Sequence, residues 1–184
     1  MLALILYLFS LIALLIFLIF ITVYGIFLIY SSIKGAPYVP TRKKVIDDIL
    51  APAKIKANNF FMELGSGDGR ILRYAGKKYN CQGIGVDVNP ILVAWAKILT
   101  RLERQEKKID FQVKNIFDAD SRRADFIYLF LMPELIQKLV AKMNKELKPG
   151  AIVIAHAFPV KPWANKLFYT LKQLPFSTYY YQIR

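Results

Sequence analysis

The sequence predicts an α/β protein with a mostly parallel β-sheet, closed by an antiparallel C-terminal edge hairpin and preceded by one apolar helix. Three observations lead to this prediction. The first 33 residues carry no charged or histidine side chain, a glycine-rich turn follows the apolar run that ends at Leu64, and strand and helix patterns alternate from there onwards. Such alternation is typical of a parallel sheet with helices on both faces.

The apolar N-terminus, residues 1–33, predicts one transmembrane helix. Leu2–Tyr30 is almost wholly apolar and would form a helix about 43 Å long, which exceeds the roughly 30 Å hydrocarbon core and can cross it with tilt. It is too long for a signal peptide and has no basic residue before it. Basic side chains follow at Lys34 and at positions 42–44. The positive-inside rule therefore places the N-terminus outside and the following domain in the cytoplasm.

The charge of the chain indicates its partners. The whole formal charge of +13 lies after the apolar segment, which favours a lipid bilayer with anionic headgroups and also permits nucleic acid. Cys81 is the single cysteine, so the chain forms no internal disulfide. No cluster of Cys and His has the spacing of a metal site, and we predict no metal.

Residues 34–58 are predicted to connect the membrane helix to the domain at 59–184. Two prolines and a glycine between positions 35 and 40 stop the membrane helix. Thr41 is then expected to be the N-cap of an amphipathic helix. The apolar residues of that helix would share one face: Val45, Ile46, Ile49 and Leu50.

The domain itself is predicted element by element. Short runs rich in β-branched or aromatic residues indicate strands at Phe60–Leu64, Gly83–Asp87, Asp110–Val113, Phe126–Leu131 and Ile152–Phe158. Helical patterns lie between them, at Gly69–Tyr79, Pro90–Arg104 and Pro133–Leu147. The pattern then changes to an expected antiparallel pair, Leu167–Leu171 and Thr178–Ile183, around Leu174 and Pro175.

The turn after the first strand carries the clearest chemical signal. Glu63 ends the apolar run, and Gly65, Gly67 and Gly69 follow at alternate positions before a helix. Glycines let the backbone approach a ligand closely, and a helix N-terminus favours a carboxylate. The segment resembles the first strand and turn of class I S-adenosyl-L-methionine methyltransferases, which have a Rossmann-like sheet. The resemblance implies that S-adenosyl-L-methionine is the cofactor. Asp68 has a simpler alternative role as an N-cap.

Asp87, at the end of the second predicted strand, supports cofactor binding because an acid there can accept both ribose hydroxyls. Binding of a nicotinamide cofactor is disfavoured because an acid directly precedes the glycines. A phosphate-binding loop is disfavoured because no Gly-Lys-Ser/Thr follows them. Asn115 is either an acceptor for the adenine amino group or a turn residue. The full set predicted to bind cofactor is Glu63, Gly65, Ser66, Gly67, Asp68, Gly69, Asp87, Val88, Asn89, Asn115 and Ile116.

The sequence also excludes certain acceptors. Leu129–Pro133 lacks the Asn/Asp-Pro-Pro-Tyr/Phe tetrad that grips a planar amide or exocyclic amine, which argues against methylation of adenine N6 or glutamine. Cys81 precedes the second strand, far from the transferred methyl group in this topology. A cysteine nucleophile for cytosine C5 is therefore disfavoured.

Four segments resemble the membrane-anchored lysine methyltransferases, a family that includes the enzymes acting on the ATP synthase c-subunit and on the adenine nucleotide translocase. They are residues 36–41 (APYVPT), 63–70 (ELGSGDGR), 86–90 (VDVNP) and 158–163 (FPVKPW). The chain departs from the family pattern at His156-Ala157, where Cys-Arg is usual, and at Asn115, where an acid is usual. The resemblance implies methylation of a lysine on a membrane or membrane-proximal protein.

For that reaction the lysine ammonium would lose its proton to water or to a nearby acceptor in an aromatic pocket, and cation–π attraction would hold the product. Tyr38, Phe158 and Trp163 are the candidates for the pocket, each with an alternative as a core or interfacial aromatic. His156 is the candidate acceptor, with a structural role as its alternative. Two rival functions stay open: an RNA or small-molecule methyltransferase on the same fold, and a tethered module that binds cofactor without turnover.

Overall fold

A computed structural model of the chain describes residues 2–34 and 39–184. The chain divides into two compact units, Met1–Tyr38 and Val39–Arg184. The first unit consists of helix α1, Leu2–Lys34. Within α1, a 22-residue segment with a mean hydropathy of 3.2 and no buried residues is long and apolar enough to cross a membrane.

The second unit is built on a seven-stranded sheet. Its strands are β1 (Phe60–Leu64), β2 (Gln82–Asp87), β3 (Ile109–Val113), β4 (Phe126–Leu129), β5 (Ile152–His156), β6 (Leu167–Leu171) and β7 (Thr178–Gln182). The order across the sheet is β3-β2-β1-β4-β5-β7-β6. The first five strands are parallel, and β7 lies antiparallel between β5 and β6. The predicted mixed sheet is confirmed, with strand bounds within two residues of those expected.

Helices cover both faces of this sheet. They are α2 (Lys43–Leu50), α3 (Arg70–Tyr79), α4 (Pro90–Leu102) and α5 (Pro133–Glu146). One buried apolar cluster joins α2, α3 and α4 to the sheet, and another joins α5 to it. Short 3₁₀ segments lie at Ala51–Ala53 and Lys161–Lys166. The doubly covered sheet explains why its central strands are almost continuously apolar.

The start of α2 differs from the prediction in one respect. Arg42 is the N-cap residue and makes no side-chain cap. The hydroxyl group of Thr41 instead lies 3.1 Å from the hydroxyl of Tyr128 in β4. Thr41 is therefore a buried link between the segment before α2 and the sheet, because a tertiary partner displaced the local capping bond. The apolar face of α2 is confirmed, with Ile46, Ile49 and Leu50 buried.

The topology fixes one edge of the sheet as the place for a site. The carboxyl ends of β1 to β5 meet at the same edge because these strands are parallel. β7 begins at this edge, since Thr178 pairs with His156 at the end of β5. We call this side of the domain the carboxyl edge. In open α/β sheets ligands bind there, where the strand order reverses between β1 and β4.

Candidate active site

The glycine turn lies at the carboxyl edge, between β1 and α3. Gly65, Gly67 and Gly69 have φ angles of +78°, +52° and +71°, a region that favours glycine. The backbone N–H groups of Gly65 and Ser66 both donate to the carbonyl oxygen of Val86, at 2.9 Å each. The turn is thus fixed to the neighbouring strand β2 through its main chain.

The glycine turn is also closely packed against the side chains of Phe111 and Leu131. A Cβ atom at Gly69 would lie 2.2 Å from Cζ of Phe111, a side chain of β3 that is fully buried. A Cβ atom at Gly65 would lie 2.7 Å from Cδ2 of Leu131. Glycine is therefore favoured at both positions by backbone conformation, and at Gly69 also by space, because the buried ring of Phe111 has no room to move whereas the end of the Leu131 side chain can shift.

Asp87 faces this turn from the end of β2. Its Oδ2 accepts a hydrogen bond from the N–H of Gly67, and its Oδ1 accepts one from the N–H of Asn89, each at 2.8 Å. Burial raises the pKa of the carboxyl group, although both N–H groups oppose that effect. Each oxygen retains a further lone pair, so the carboxylate can still accept hydroxyl groups of a ligand.

The side chain of Glu63 is buried near the end of β1. It is 4% exposed, and its Oε2 accepts a hydrogen bond from the N–H of Leu72 in the first turn of α3. Burial raises its pKa well above the usual value, and the neighbouring carboxylates of Asp68 and Asp87 raise it further. A cationic group bound beside the turn would offset that cost.

Asp68 is not the N-cap of α3, because Gly69 occupies that position. Its Oδ1 nevertheless accepts a hydrogen bond from the N–H of Arg70, at 3.2 Å. Burial acts to raise the pKa of Asp68, but the hydrogen bonds and charge of Arg70 leave it lowered. Arg70 also donates to the carbonyl oxygen of Thr41, at 3.0 Å. Arg70 thereby joins the glycine turn to the segment before α2.

The remaining predicted cofactor residues surround Asp87. Asn89 caps α4 through Oδ1, which accepts from the N–H groups of Ile91 and Leu92. Asn115 is exposed, and its Oδ1 accepts from the N–H of Phe117 at 3.0 Å, which is the turn role. Val88 is half-buried and Ile116 is buried. These two side chains supply apolar surface next to the ends of β2 and β3.

One buried polar atom of the turn is unpaired among the described residues. The hydroxyl oxygen of Ser66 is buried and makes no hydrogen bond within the described part of the chain. Buried polar groups are normally satisfied, so an unpaired hydroxyl in a glycine cradle indicates a place for ligand atoms. Together with the acids Glu63 and Asp87, this donor and acceptor set fits an amino acid and a ribose, the components of S-adenosyl-L-methionine.

A second group of side chains lies at the same edge, beyond β4. His156 is 4% exposed, and its Nδ1 lies 2.8 Å from the hydroxyl of Thr178. Its ring packs edge-on against Phe130 and Phe176, with centroid distances of 4.8 and 5.9 Å. Tyr128 stacks on it at 6.3 Å. We call His156, Phe130, Phe176 and Tyr128 the aromatic enclosure.

Sequence reasoning missed three members of this enclosure. Phe130 follows β4, and Phe176 lies in the loop before β7, so they are far apart in sequence. An aromatic residue directly after a parallel strand was the available signal for Phe130.

Burial lowers the pKa of His156 to about 4, so its imidazole is neutral at physiological pH.

The other proposed pocket residues are placed differently. Trp163 is 1% exposed, packs against Tyr181 and donates from Nε1 to Asn144 of α5. Its rings belong to the core and offer no face to a substrate, which corrects its assignment to the pocket. Phe158 is half-buried against the same core. Tyr38 lies outside the described residues.

The described residues contain no group of three or more His, Cys, Asp or Glu that could hold a metal ion. Cys81 is buried, and burial raises the pKa of its thiol to about 11. It directly precedes β2, whose start lies at the opposite edge of the sheet from the glycine turn. It therefore has neither the position nor the ionisation of a nucleophile.

The sheet order, the glycine turn and the acid at the end of β2 define a class I S-adenosyl-L-methionine-dependent methyltransferase. The sequence model of one protein family, the ANTKMT methyltransferase domain, matches residues 63–166 of this chain. The chain belongs to this family, and S-adenosyl-L-methionine is its cofactor.

Known proteins agree with this placement. A protein-lysine N-methyltransferase of Saccharolobus islandicus is 33% identical over 74% of this chain and 85% of its own length. The Homo sapiens lysine N-methyltransferase named for the ATP synthase c-subunit is 28% identical over 69% of this chain, which spans about half, 54%, of that relative. A crystal structure of an RNA methyltransferase from Salinibacter ruber with S-adenosyl-L-homocysteine is 31% identical, covers 79% of this chain and 94% of its own, and has a TM-score of 0.76.

Proposed function

We propose that this enzyme methylates the side-chain amine of a lysine in a protein. The observation that carries the proposal is the 33% identity, over 74% of this chain, to a protein named as a protein-lysine N-methyltransferase. The relatives named for the ATP synthase c-subunit and for the adenine nucleotide translocase support the same acceptor group. The acceptor protein itself is proposed to be embedded in a membrane or close to one.

In this proposal the cofactor lies along the carboxyl edge from β1 to β3. The backbone of Gly65 to Gly69, the hydroxyl of Ser66 and the carboxylate of Glu63 hold the amino-acid part. Asp87 accepts the ribose hydroxyls. Val88, Asn89 and Ile116 flank the adenine, and Asn115 contributes only through its turn. When bound, S-adenosyl-L-methionine supplies an electrophilic methyl group on a sulfonium.

The aromatic enclosure would receive the lysine. Phe130 and Phe176 offer ring faces to an ammonium ion or its methylated product. His156 is neutral, and in the tautomer whose Nδ1–H donates to the hydroxyl of Thr178, Nε2 keeps a lone pair that would orient the amine. With a pKa of about 4, His156 cannot retain the proton that lysine must lose, so we expect this proton to pass to water. Phe158 and Tyr38 remain proposed as additional walls.

We further propose that α1 anchors the enzyme in a bilayer, with the N-terminus outside and the catalytic domain in the cytoplasm. Support comes from the unburied 22-residue apolar segment of α1 and from the basic residues that follow it. In functional terms the chain would divide into an anchor at 1–33, a connecting segment at 34–58 and a methyltransferase domain at 59–184. The anchor would raise the local concentration of membrane substrates.

RNA is the second candidate substrate. The similar structure from Salinibacter ruber is described as an RNA methyltransferase, and the chain carries a formal charge of +13. A basic surface binds phosphates without regard to sequence, so it fits RNA as well as an acidic bilayer. The tetrad typical of exocyclic amine methylation is absent after β4, which leaves other RNA positions as the acceptors to test.

The experiment offers methyl-labelled cofactor to the full chain in lipid vesicles, with membrane extract from cells that lack this gene. We expect label that survives RNase, is released by protease and is recovered as methylated lysine after hydrolysis. Asp87→Ala is the control for cofactor-dependent transfer. Label released by RNase would establish RNA as the substrate and overturn the lysine proposal.

A further inference from the structure

The loop between β6 and β7, residues 172–177, exposes apolar side chains at the carboxyl edge. Leu174 is 93% exposed and Phe176 is 38% exposed. Lys172 stands before them and is also exposed. Isolated surface leucines are common, but here a leucine, a phenylalanine and a lysine occupy one short loop.

This loop is held in a defined position. The side-chain amide of Gln173 donates to Asp48 of α2, at 3.2 Å. The N–H of Ala157, directly after β5, donates to the carbonyl oxygen of Ser177 at 2.9 Å. The loop is thus fixed at both sides, and its exposed leucine projects from a supported base.

The loop lies on the same side of the domain as the segment that leads in from α1. Phe176 packs on His156, which stacks with Tyr128, whose hydroxyl contacts Thr41. Val39 and Pro40, which precede Thr41, are exposed. Only four residues separate the end of α1 from Val39 in the sequence. The sequence therefore leaves only a short connection between α1 and the segment that contacts Tyr128.

We propose that the β6–β7 loop inserts into the headgroup region of the bilayer as a second membrane contact. This proposal rests on the anchoring of α1 proposed above. Leu174 would enter the boundary of the acyl chains, Phe176 would stay in the aromatic enclosure beside it, and Lys172 would pair with anionic headgroups. The formal charge of +13 gives the domain the complementary sign for such a surface.

The consequence is an orientation for the enzyme. With α1 and the loop both at the bilayer, the aromatic enclosure beside the loop would open toward the membrane surface. A lysine near the membrane boundary of an embedded protein could then reach the enclosure, whereas lysines far from the bilayer could not. The loop would thus help to select substrate lysines by their distance from the membrane surface.

Cysteine labelling in the full chain tests the proposal. The thiol of Cys81 is buried with a pKa raised to about 11, so an introduced exposed cysteine reacts selectively. An environment-sensitive fluorophore is placed at Leu174→Cys, or at Leu102→Cys as the matched control. Leu102 is 75% exposed and ends α4, away from the carboxyl edge. A third variant, Leu14→Cys, reports on α1 itself.

Each variant is reconstituted in phosphatidylcholine vesicles, with and without phosphatidylglycerol, and quenched by nitroxide-labelled lipids. We expect a blue shift and strong quenching at position 174, enhanced by phosphatidylglycerol, and neither effect at 102. Quenching at 14 with none at 174 would overturn the loop proposal while leaving the anchor intact. Absence of quenching at 14 would overturn the anchor. The fluorescence of the label at 174 could instead be unchanged by lipids and change only when a methyl-accepting protein or a second copy of the chain is added. That result would identify a protein contact and would also overturn the proposal.

Discussion

The cofactor half and the substrate half that we propose for the carboxyl edge are built in different ways. The cofactor half, around β1 and β2, is held mainly by backbone groups, with the N–H groups of Gly65, Ser66 and Gly67 bonded to β2. The substrate half, around β4 and β5, is an enclosure of side chains centred on His156. A backbone cradle tolerates little variation, whereas a wall of side chains can change without altering the fold. Cofactor chemistry can therefore stay constant while the acceptor changes.

The largest expected effect of breaking the cofactor half comes from Gly69→Ala. It combines a left-handed conformation with a Cβ only 2.2 Å from the ring of Phe111, so we expect a loss of about 3–5 kcal/mol in the free energy of unfolding. Urea unfolding in detergent micelles, followed by circular dichroism, measures it. Gly150→Ala is the control, since Gly150 has a φ of +85° but no atom within 4 Å of its Cβ. Equal losses in both variants would remove Phe111 from the explanation.

The second prediction concerns the affinity of the cofactor half. Asp87→Ala should weaken binding of S-adenosyl-L-homocysteine by about 1.5–3 kcal/mol, the range for hydrogen bonds to a charged group. Calorimetry measures this change, with Asp110→Ala as the control, because Asp110 is an exposed acid on the adjacent strand β3. Unchanged affinity in a folded Asp87→Ala protein would refute the ribose assignment.

The third prediction concerns the substrate half. His156→Gln should lower turnover on the protein substrate by about tenfold, roughly 1.4 kcal/mol, and leave cofactor affinity unchanged. Thr178→Val removes the hydroxyl next to Nδ1 of His156 and should have a smaller effect in the same direction. Initial rates at saturating cofactor measure both. A loss of cofactor affinity in His156→Gln would mean that the two halves are not separate.

The smallest effect is a pH dependence of stability. The pKa of His156 is about 4 in the folded protein against an ordinary 6.5, so as pH falls through 6.5 the unfolded state binds a proton that the folded state does not. Stability should therefore fall with pH, and His156 should account for about 0.5–1 kcal/mol of this loss between pH 7 and pH 6. Urea unfolding of His156→Gln should show a shallower dependence. If the free energy of unfolding depended on pH equally in the wild type and in His156→Gln, the imidazole would lie in a more polar site than its burial indicates.

The same comparison explains what the sequence could predict. The cofactor half was predicted because its signal is local, with three glycines and Glu63 in one short segment and Asp87 at the next strand end. Strand and helix patterns were predicted for the same reason, since their periods are local. The fold followed because the alternation of strands and helices leaves few topologies.

The substrate half depends on contacts between distant residues, and prediction was weaker there. Thr41 was expected to cap α2, but its partner is Tyr128, 87 residues later. Phe176 meets His156 only because β7 turns back beside β5. Trp163 looked available to a substrate, yet the pairing of β7 with β5 brings Tyr181 against it and buries it. Neither local propensity nor periodicity contains such information.

The most direct test of the division into two halves is a cofactor titration of lysine methylation in Asp87→Ala and Phe130→Ala. Both variants should methylate slowly at low cofactor concentration. Raising the concentration of S-adenosyl-L-methionine should restore most of the rate in Asp87→Ala, because only binding is impaired, and should leave Phe130→Ala slow. Rescue of Phe130→Ala by cofactor, or failure to rescue a folded Asp87→Ala, would contradict the assignment of these residues to separate halves.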